Sequence, residues 1–371
     1  MFYLPNIFQA AVGFLLLIGP LVIVHELGHY LVARWCGVKA DVFSIGFGKE
    51  LLGWTDKRGT RWRLAAIPLG GYVQFAGDMN ATSETDDEAI AAMSPEQRAE
   101  AFATHPLWQR ALIVAAGPVT NLLVAIVIFA AFFLAFGKVV APAEIGAFSE
   151  RAPAQAAGLV IGDKILAIDG YKVKEFADIS ERVAPYPGQE VTIQVSRSGR
   201  EFDTRVKLAD FVQKDKFGNE TRLGLLGIRS TKLEISAVGP VEAVSLAGKE
   251  SWFIVKTLAI GIKQIVVGER SLKELGGPVK TAKFSGEQLS LGWLNFVRFA
   301  AFISINLAFI NLLPIPTLDG GHLAFYAAEA VRRRPLGARS QDWAFRTGLA
   351  FVVALMLFVT INDLASLLPL G

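Results

Sequence analysis

One stretch of this chain combines residue types and spacing that could do chemistry: His25-Glu26-Leu27-Gly28-His29. On a helix, residues four apart share a face, so both imidazoles can turn toward one metal ion. Glu26 projects beside them and can handle a proton from water at that metal. The chain has four histidines, and two are spent here. No charged residue lies between Met1 and Val24, so the motif begins where a membrane span would be crossing the bilayer. Two buried histidines could instead be structural, or could ligate haem, but the intervening glutamate and the apolar setting fit hydrolysis better.

A metal held by two histidines needs a third protein ligand and keeps one position for water. Neither His105, near the head of a second apolar stretch, nor His322, after a third, stands in an obvious ligand context. Asp319 is the stronger candidate, in Asn311-Leu312-Leu313-Pro314-Ile315-Pro316-Thr317-Leu318-Asp319-Gly320-Gly321. An acid at the end of a span is costly unless paired or metal-bound. The two prolines break the helix before it and let it turn inward. Its other reading is a solvated cap at a helix start. His322 reads as a helix-start residue or a group behind the ligands. Cys36 is the only cysteine, which excludes an intrachain disulfide and a cysteine-based metal site; it reads as a reduced bystander.

The elements that must carry these residues are membrane helices. The chain has 371 residues, 52% of them hydrophobic, and a mean hydropathy of +0.41, which points to a polytopic membrane protein. A net charge of +3, with no basic block interleaved with aromatics, gives no reason to expect a nucleic-acid partner. The first segment does not read as a signal peptide, because it lacks a basic start and cleavage after it would detach the metal motif. Four stretches are apolar enough to span, at about 7–35, 111–136, 299–313 and 347–361. Lys49, Lys57, Arg58, Arg61 and Arg63 lie between the first two, and Arg332, Arg333, Arg334 and Arg339 between the last two. The positive-inside rule places both short loops in the cytoplasm, and both termini with the long middle segment on the opposite side.

That middle segment, about 139–295, is composite. Residues 141–230 read as a small β-rich domain, with runs such as Val191-Thr192-Ile193-Gln194-Val195 and turn signals at Asp169-Gly170 and Ser198-Gly199. Over 241–270, Glu242, Lys249, Lys256, Lys263 and Arg270 recur every seven residues on an otherwise apolar helix. This fits an interfacial helix, or one packed on the β-rich domain. In the first loop, 41–76 reads as glycine-rich β structure, 78–88 as an acidic flexible stretch, and Ser94-Pro95-Glu96-Gln97 as a capping box starting a short helix.

Together, the His25–His29 motif in a first span and the Asn311–Gly321 segment resemble the site-2 protease family of intramembrane zinc metalloproteases, and within it the bacterial RseP-type enzymes of regulated intramembrane proteolysis. Further matches are Gly70-Gly71-Tyr72-Val73, which resembles the end of the family's membrane-reentrant β-loop, and Gly117-Pro118 with Asn121, which resembles its second-span motif. Ala157 to Gly170 (AGLVIGDKILAIDG) resembles the signature of a bacterial PDZ domain. The resemblance implies that His25, His29 and Asp319 ligate Zn2+, and that Glu26 activates water and carries its proton to the leaving nitrogen. It also implies that Asn311 holds the substrate strand or carbonyl. Gly70, Gly71, Tyr72 and Val73 would pair with an unwound substrate. Zinc on two neutral imidazoles and one carboxylate leaves a positive site that acidifies water to a pKa near 7 and stabilises an oxyanion.

The expected fold is a polytopic α-helical membrane protein of about four transmembrane helices, with a membrane-associated β-loop and one inserted β-rich PDZ domain. The expected organisation is a first transmembrane helix with the zinc motif (1–38), a cytoplasmic segment with the β-loop (39–106), a second transmembrane helix (107–138), the PDZ domain on the periplasmic side (139–232), and an amphipathic interfacial region (233–294). A third transmembrane helix with the Leu-Asp-Gly motif (295–325), a basic cytoplasmic loop (326–342) and a fourth transmembrane helix with the C-terminus (343–371) follow. Relatives often carry two tandem PDZ domains, whereas this chain has room for one. Leu223 to Ile228 is a candidate strand for its peptide groove or plain core. The expected activity is cleavage of transmembrane segments of single-pass proteins, such as anti-sigma factors, other stress-response regulators or remnant signal peptides, in the bacterial inner membrane. The expected partners are those substrates, the lipid bilayer and a peptide or protein ligand of the PDZ domain. A catalytically silent PDZ-bearing membrane scaffold or chaperone is the rival from another class, and a metal transporter would require more intramembrane acids or histidines than the chain has.

Overall fold

The computed structural model describes residues 7–77, 92–214, 220–232, 234–334 and 338–367. The acidic stretch at 78–88 lies outside the described residues. Two units are distinguished: one from residues up to Ala130 together with Val244–Ala365, the other from Ala131–Ala243.

The first unit opens with helix α1 (Ile7–Trp35). It stops at Gly37, whose φ of 87° is open to glycine without strain, and Val38 N–H returns to the Ala33 carbonyl at 2.9 Å. Strands β1 (Ala40–Thr55) and β2 (Arg61–Phe75) follow. Phe43 pairs with both Val73 and Trp62, while Trp54 pairs with Trp62 from the other side. The two long strands therefore bend into a sheet of four segments, ordered 50–55, 61–65, 42–45, 71–75, with the outer pairs antiparallel and the middle pair running in the same direction. The bend sits at Gly46 and Gly48, with φ of 91° and 86°. Among the described residues, segment 71–75 has no strand on its outer side. Helix α2 (Pro95–Glu100) begins with the capping box at Ser94 and Gln97. Helix α3 (Leu107–Phe136) closes this part. Tyr30, Ala33, Phe43, Val73, Phe75, Ile113 and Val114 bury one another, joining the second half of α1, the sheet and the head of α3.

The second unit holds β3 (Lys138–Val140), β4 (Ala147–Phe148), helix α4 (Pro153–Ala156), β5 (Lys164–Ile168), β6 (Tyr171–Lys172), helix α5 (Phe176–Val183), β7 (Glu190–Arg197), β8 (Arg200–Lys207), β9 (Ala209–Lys214), β10 (Glu220–Leu225), β11 (Ile228–Arg229) and β12 (Glu234–Ser236). Its main sheet runs β6-β5-β7-β8. Val191, Ile193 and Val195 alternate inward along β7, as period two demands, and meet Ile165, Ile168, Ile179 and Val206 in the core. The β7–β8 hairpin turns on Ser198 and Gly199, both at positive φ. Asp163 is fully buried and takes two 2.7 Å bonds from the Arg197 guanidinium, which holds its carboxyl below the ordinary carboxylate range. The Leu223–Ile228 stretch is not one strand. Gly227, at φ 71°, ends β10's run; Leu226 enters the core, and Ile228 pairs with Phe148 of β4.

Helix α6 (Pro240–Val266) keeps Lys249, Lys256 and Lys263 exposed along with Trp252. The first unit then continues through α7 (Pro278–Ser290), α8 (Trp293–Asn311), α9 (Asp319–Arg332) and α10 (Ala338–Leu367). Among the described residues, four helices are long and apolar enough to cross a membrane: α1, α3, α8, and Trp343–Ser366 of α10. The last two exceed the apolar runs in the sequence, because Arg298, Arg346 and Asp363 interrupt the runs without breaking the helices. Asp363 shows how one such residue is accommodated. It is fully buried, accepts the Lys280 N–H at 3.0 Å and the Gly277 N–H at 3.2 Å, and faces Lys280 Nζ at 3.7 Å. A carboxylate of α10 thus caps the start of α7. At the other end of α7, Gly286 lies against α1, where a Cβ would come within 2.8 Å of the Ala10 backbone.

Candidate metal centre

The second half of α1 brings His25 and His29 to one face, 8% and 9% exposed. The face they meet belongs to α3. A Cβ at Gly117 would run into both imidazoles, at 2.8 Å from His25 Cε1 and 2.6 Å from His29 Cε1, so the rings seat on a bare backbone. Gly28 allows the same approach from α1, since a Cβ there would lie 2.6 Å from the Ala116 carbonyl oxygen. The third group arrives from α9. After α8 ends at Asn311, the chain turns through Pro314 and Pro316 and restarts as a helix at Asp319. Gly321 packs on that turn, where a Cβ would sit 2.5 Å from Pro316 Cα.

Three ligand atoms converge as a result. His25 Nε2 lies 3.2 Å from His29 Nε2 and 3.1 Å from Asp319 Oδ2, and His29 Nε2 lies 3.6 Å from Asp319 Oδ1. All three residues can place a donor atom within 4.8 Å of the others. A tetrahedral zinc ion with bonds of about 2.0–2.1 Å sets its ligands about 3.3 Å apart, so the spacing fits. The protons fit as well. His29 Nδ1 lies 2.9 Å from the Ile113 carbonyl, which can only accept; Nδ1 therefore carries the hydrogen and Nε2 is left bare. The Asn121 amide, fully buried, lies 3.3 Å from His25 Nδ1. The amide nitrogen is the atom set against Nδ1, and the amide oxygen is buried with no hydrogen-bond partner among the described residues. With Nε2 on a metal, Nδ1 carries the hydrogen, and the amide turned over meets it with that oxygen. Ser304 of α8 donates to the Asn121 carbonyl at 2.7 Å and ties that helix to the same spot. Asp319 Oδ2 is buried with no hydrogen-bond partner among the described residues. Lone pairs facing one another in an apolar interior call for a cation.

Glu26 is half-buried on the adjoining face of α1, and the backbone N–H of Val73 hydrogen-bonds its carboxylate. Gly71 packs beside it, 3.4 Å from Glu26 Cγ to an added Cβ. The outer edge of segment 71–75 therefore faces Glu26. Tyr72 is half-buried, stacked on Phe47 at 6.0 Å between ring centroids, and Gly70 sits at φ 124°. Asn311 is half-buried at the end of α8 and makes no hydrogen bond to the trio among the described residues. His105 is occupied elsewhere, by Gln109 at 2.6 Å and the Ala99 carbonyl at 3.0 Å. His322 lies against Phe345 with the rings tilted, 5.0 Å between centroids, outside the ligand set.

Paired histidines on one helix long and apolar enough to cross a membrane, a carboxylate from another helix and an adjoining glutamate are the residue set of a zinc hydrolase centre. The model for Peptidase family M50 matches residues 13–355, and the chain belongs to that family, the site-2 proteases. The chain is 43% identical over 375 residues to the Agrobacterium fabrum protein named "Putative zinc metalloprotease Atu1380", covering 98% of this chain and all of that one. It is 38% identical over 379 residues to Metalloprotease MmpA of Caulobacter vibrioides, covering 95% of this chain and 94% of that one. The protein is a zinc metalloprotease.

Proposed function

We propose that this metalloprotease cuts transmembrane segments of single-pass proteins inside the bilayer. The observation that carries this reading is the outer edge of segment 71–75, with no strand beside it among the described residues, facing Glu26 next to the His25–His29–Asp319 trio. His25, His29 and Asp319 would hold zinc, which would supply Lewis acidity toward water and a peptide carbonyl. The chain's own residues do the rest. Glu26 takes the proton of the attacking water and passes it to the leaving nitrogen. Ile113 and Asn121 hold the imidazoles in the tautomers that leave Nε2 free. A helical peptide bond is shielded by its own backbone, so the substrate must unwind; Gly70 to Val73 receive it by strand addition. Asn311, at the mouth of the Pro314–Pro316 turn, steadies the substrate strand or carbonyl.

The basic loops support a reading with the metal centre toward the cytoplasm and the second unit on the outer side of a bacterial inner membrane. That unit serves as a single PDZ domain that docks a peptide or filters substrates by size, and the exposed lysines of α6 lie along the membrane surface. The substrates are anti-sigma factors, other regulators or remnant signal peptides already trimmed elsewhere, in regulated intramembrane proteolysis. The deciding experiment reconstitutes the wild type and Glu26→Gln with tagged single-span substrates, with and without a zinc chelator. Cleavage within the apolar segment by chelator-free wild type alone is expected, with Glu26→Gln retaining zinc and losing at least about 10²-fold in rate. Zinc-loaded wild type that cuts none of several such substrates would favour a PDZ-bearing scaffold.

A further inference from the structure

Asp319 must be held at ligand distance from two histidines on a different helix, and the metal contacts alone do not explain what holds it. We infer that Arg110 is a positioning residue that clamps the Asp319-bearing helix in register with the helix that orients the histidines. On α3, Arg110, Ile113, Gly117 and Asn121 recur at three- and four-residue steps and so share one face. Ile113 and Asn121 orient the imidazoles, Gly117 seats them, and Arg110 stands at the end of the row. On α9, Asp319, Tyr326 and Glu329 likewise share one face. Arg110 Nη2 donates to Glu329 Oε1 at 3.0 Å, and its guanidinium lies 5.1 Å from the Tyr326 ring centroid. The two charged side chains are 19% and 18% exposed, so solvent screens them less than a surface pair.

Another tie between these helices, among the described residues, is the packing of Leu323 and Tyr326 against the cluster around Ile113 and Val114. Apolar packing is non-directional and permits small slides and rotations. Metal bonds tolerate only about 0.2 Å. A directional ion pair combined with a cation–π contact removes that freedom.

The test compares detergent-solubilised full-length wild type, Arg110→Met, Glu329→Gln and the swap Arg110→Glu/Glu329→Arg. Zn2+ affinity is read by competition with a chromophoric chelator, and ligand geometry by the absorption of the Co2+ form. Arg110→Met is expected to bind zinc about ten-fold more weakly and to alter the Co2+ spectrum, with the swap restoring both. Arg110→Met or Glu329→Gln with wild-type affinity and spectrum would overturn the clamp. So would a swap that leaves affinity as low as the single change, since that would reduce Arg110 to local packing. If Arg110→Met does not purify as a monodisperse protein, Glu329→Gln, nearly isosteric, breaks the same ion pair and decides between the same outcomes. The inference rests on the zinc trio but not on any substrate, so a null cleavage assay leaves it standing; His29→Ala, expected to lose zinc outright, checks the trio separately.

Discussion

At the scale of single residues, the metal centre depends on groups that present no reactive chemistry themselves. His29 is locked by a backbone carbonyl and His25 by one amide, so the second is open to mutation and the first is not. Asn121→Ala removes the partner of His25 Nδ1 and frees the ring to turn or change tautomer. We expect zinc affinity to fall about 10–100-fold in chelator competition, with the protein still folded. Unchanged affinity would mean that the Gly117 seat alone orients His25. His25, Glu26 and His29 were legible in the sequence because their spacing encodes a shared helix face. Asp319 was legible because an acid at the end of an apolar span, after two prolines, demands a partner. The Ile113 carbonyl was invisible, since every residue has one and only the fold selects which is used. Asn121 was visible only as part of a resemblance; its contact with His25 depends on the crossing of α1 and α3.

At the scale of elements, apolar runs located the spans and understated two of them. A polar residue ends a run on paper, whereas in the fold it can be satisfied within a continuing helix. Asp363 is the clearest instance, and α7 is what it satisfies. Helix α7 itself was merged into an amphipathic region, because its sequence is polar and its fit to α1 rests on Gly13 and Gly286, a contact that no spacing encodes. The arrangement has a measurable consequence. Asp363→Ala strips the cap from α7 and leaves Lys280 without its carboxylate, a loss of about 3–5 kcal/mol by the usual cost of breaking a buried pair. Hydrogen exchange in detergent should then rise at the start of α7, at residues 279–283, ahead of the amides of α1. Protection that stays at the wild-type level there would show that the contact with α1, and not Asp363, holds α7.

For the molecule as a whole, the ligands come from near the two ends of the sequence, and this makes metal binding part of folding. Zinc held by the trio would join α1 to α9, elements that, among the described residues, also meet through packing around Leu323 and Tyr326. A ligand that binds only the folded state stabilises it by about 2.7 kcal/mol at a hundred-fold excess over its dissociation constant. Stripping zinc from the full-length protein is therefore expected to lower its melting transition by on the order of 5–10 °C. Glu26→Gln should show the same drop, because it keeps the ligands, whereas Asp319→Ala should melt low and respond little to chelator. The second unit has its own core around Ile165, Ile193 and Val195, so the amides of β5 and β7 should keep their protection throughout. If chelation removed zinc and left the melting transition unmoved, the α1–α9 junction would owe its stability to side-chain packing, and the metal would be a passenger in folding while remaining the centre of the chemistry.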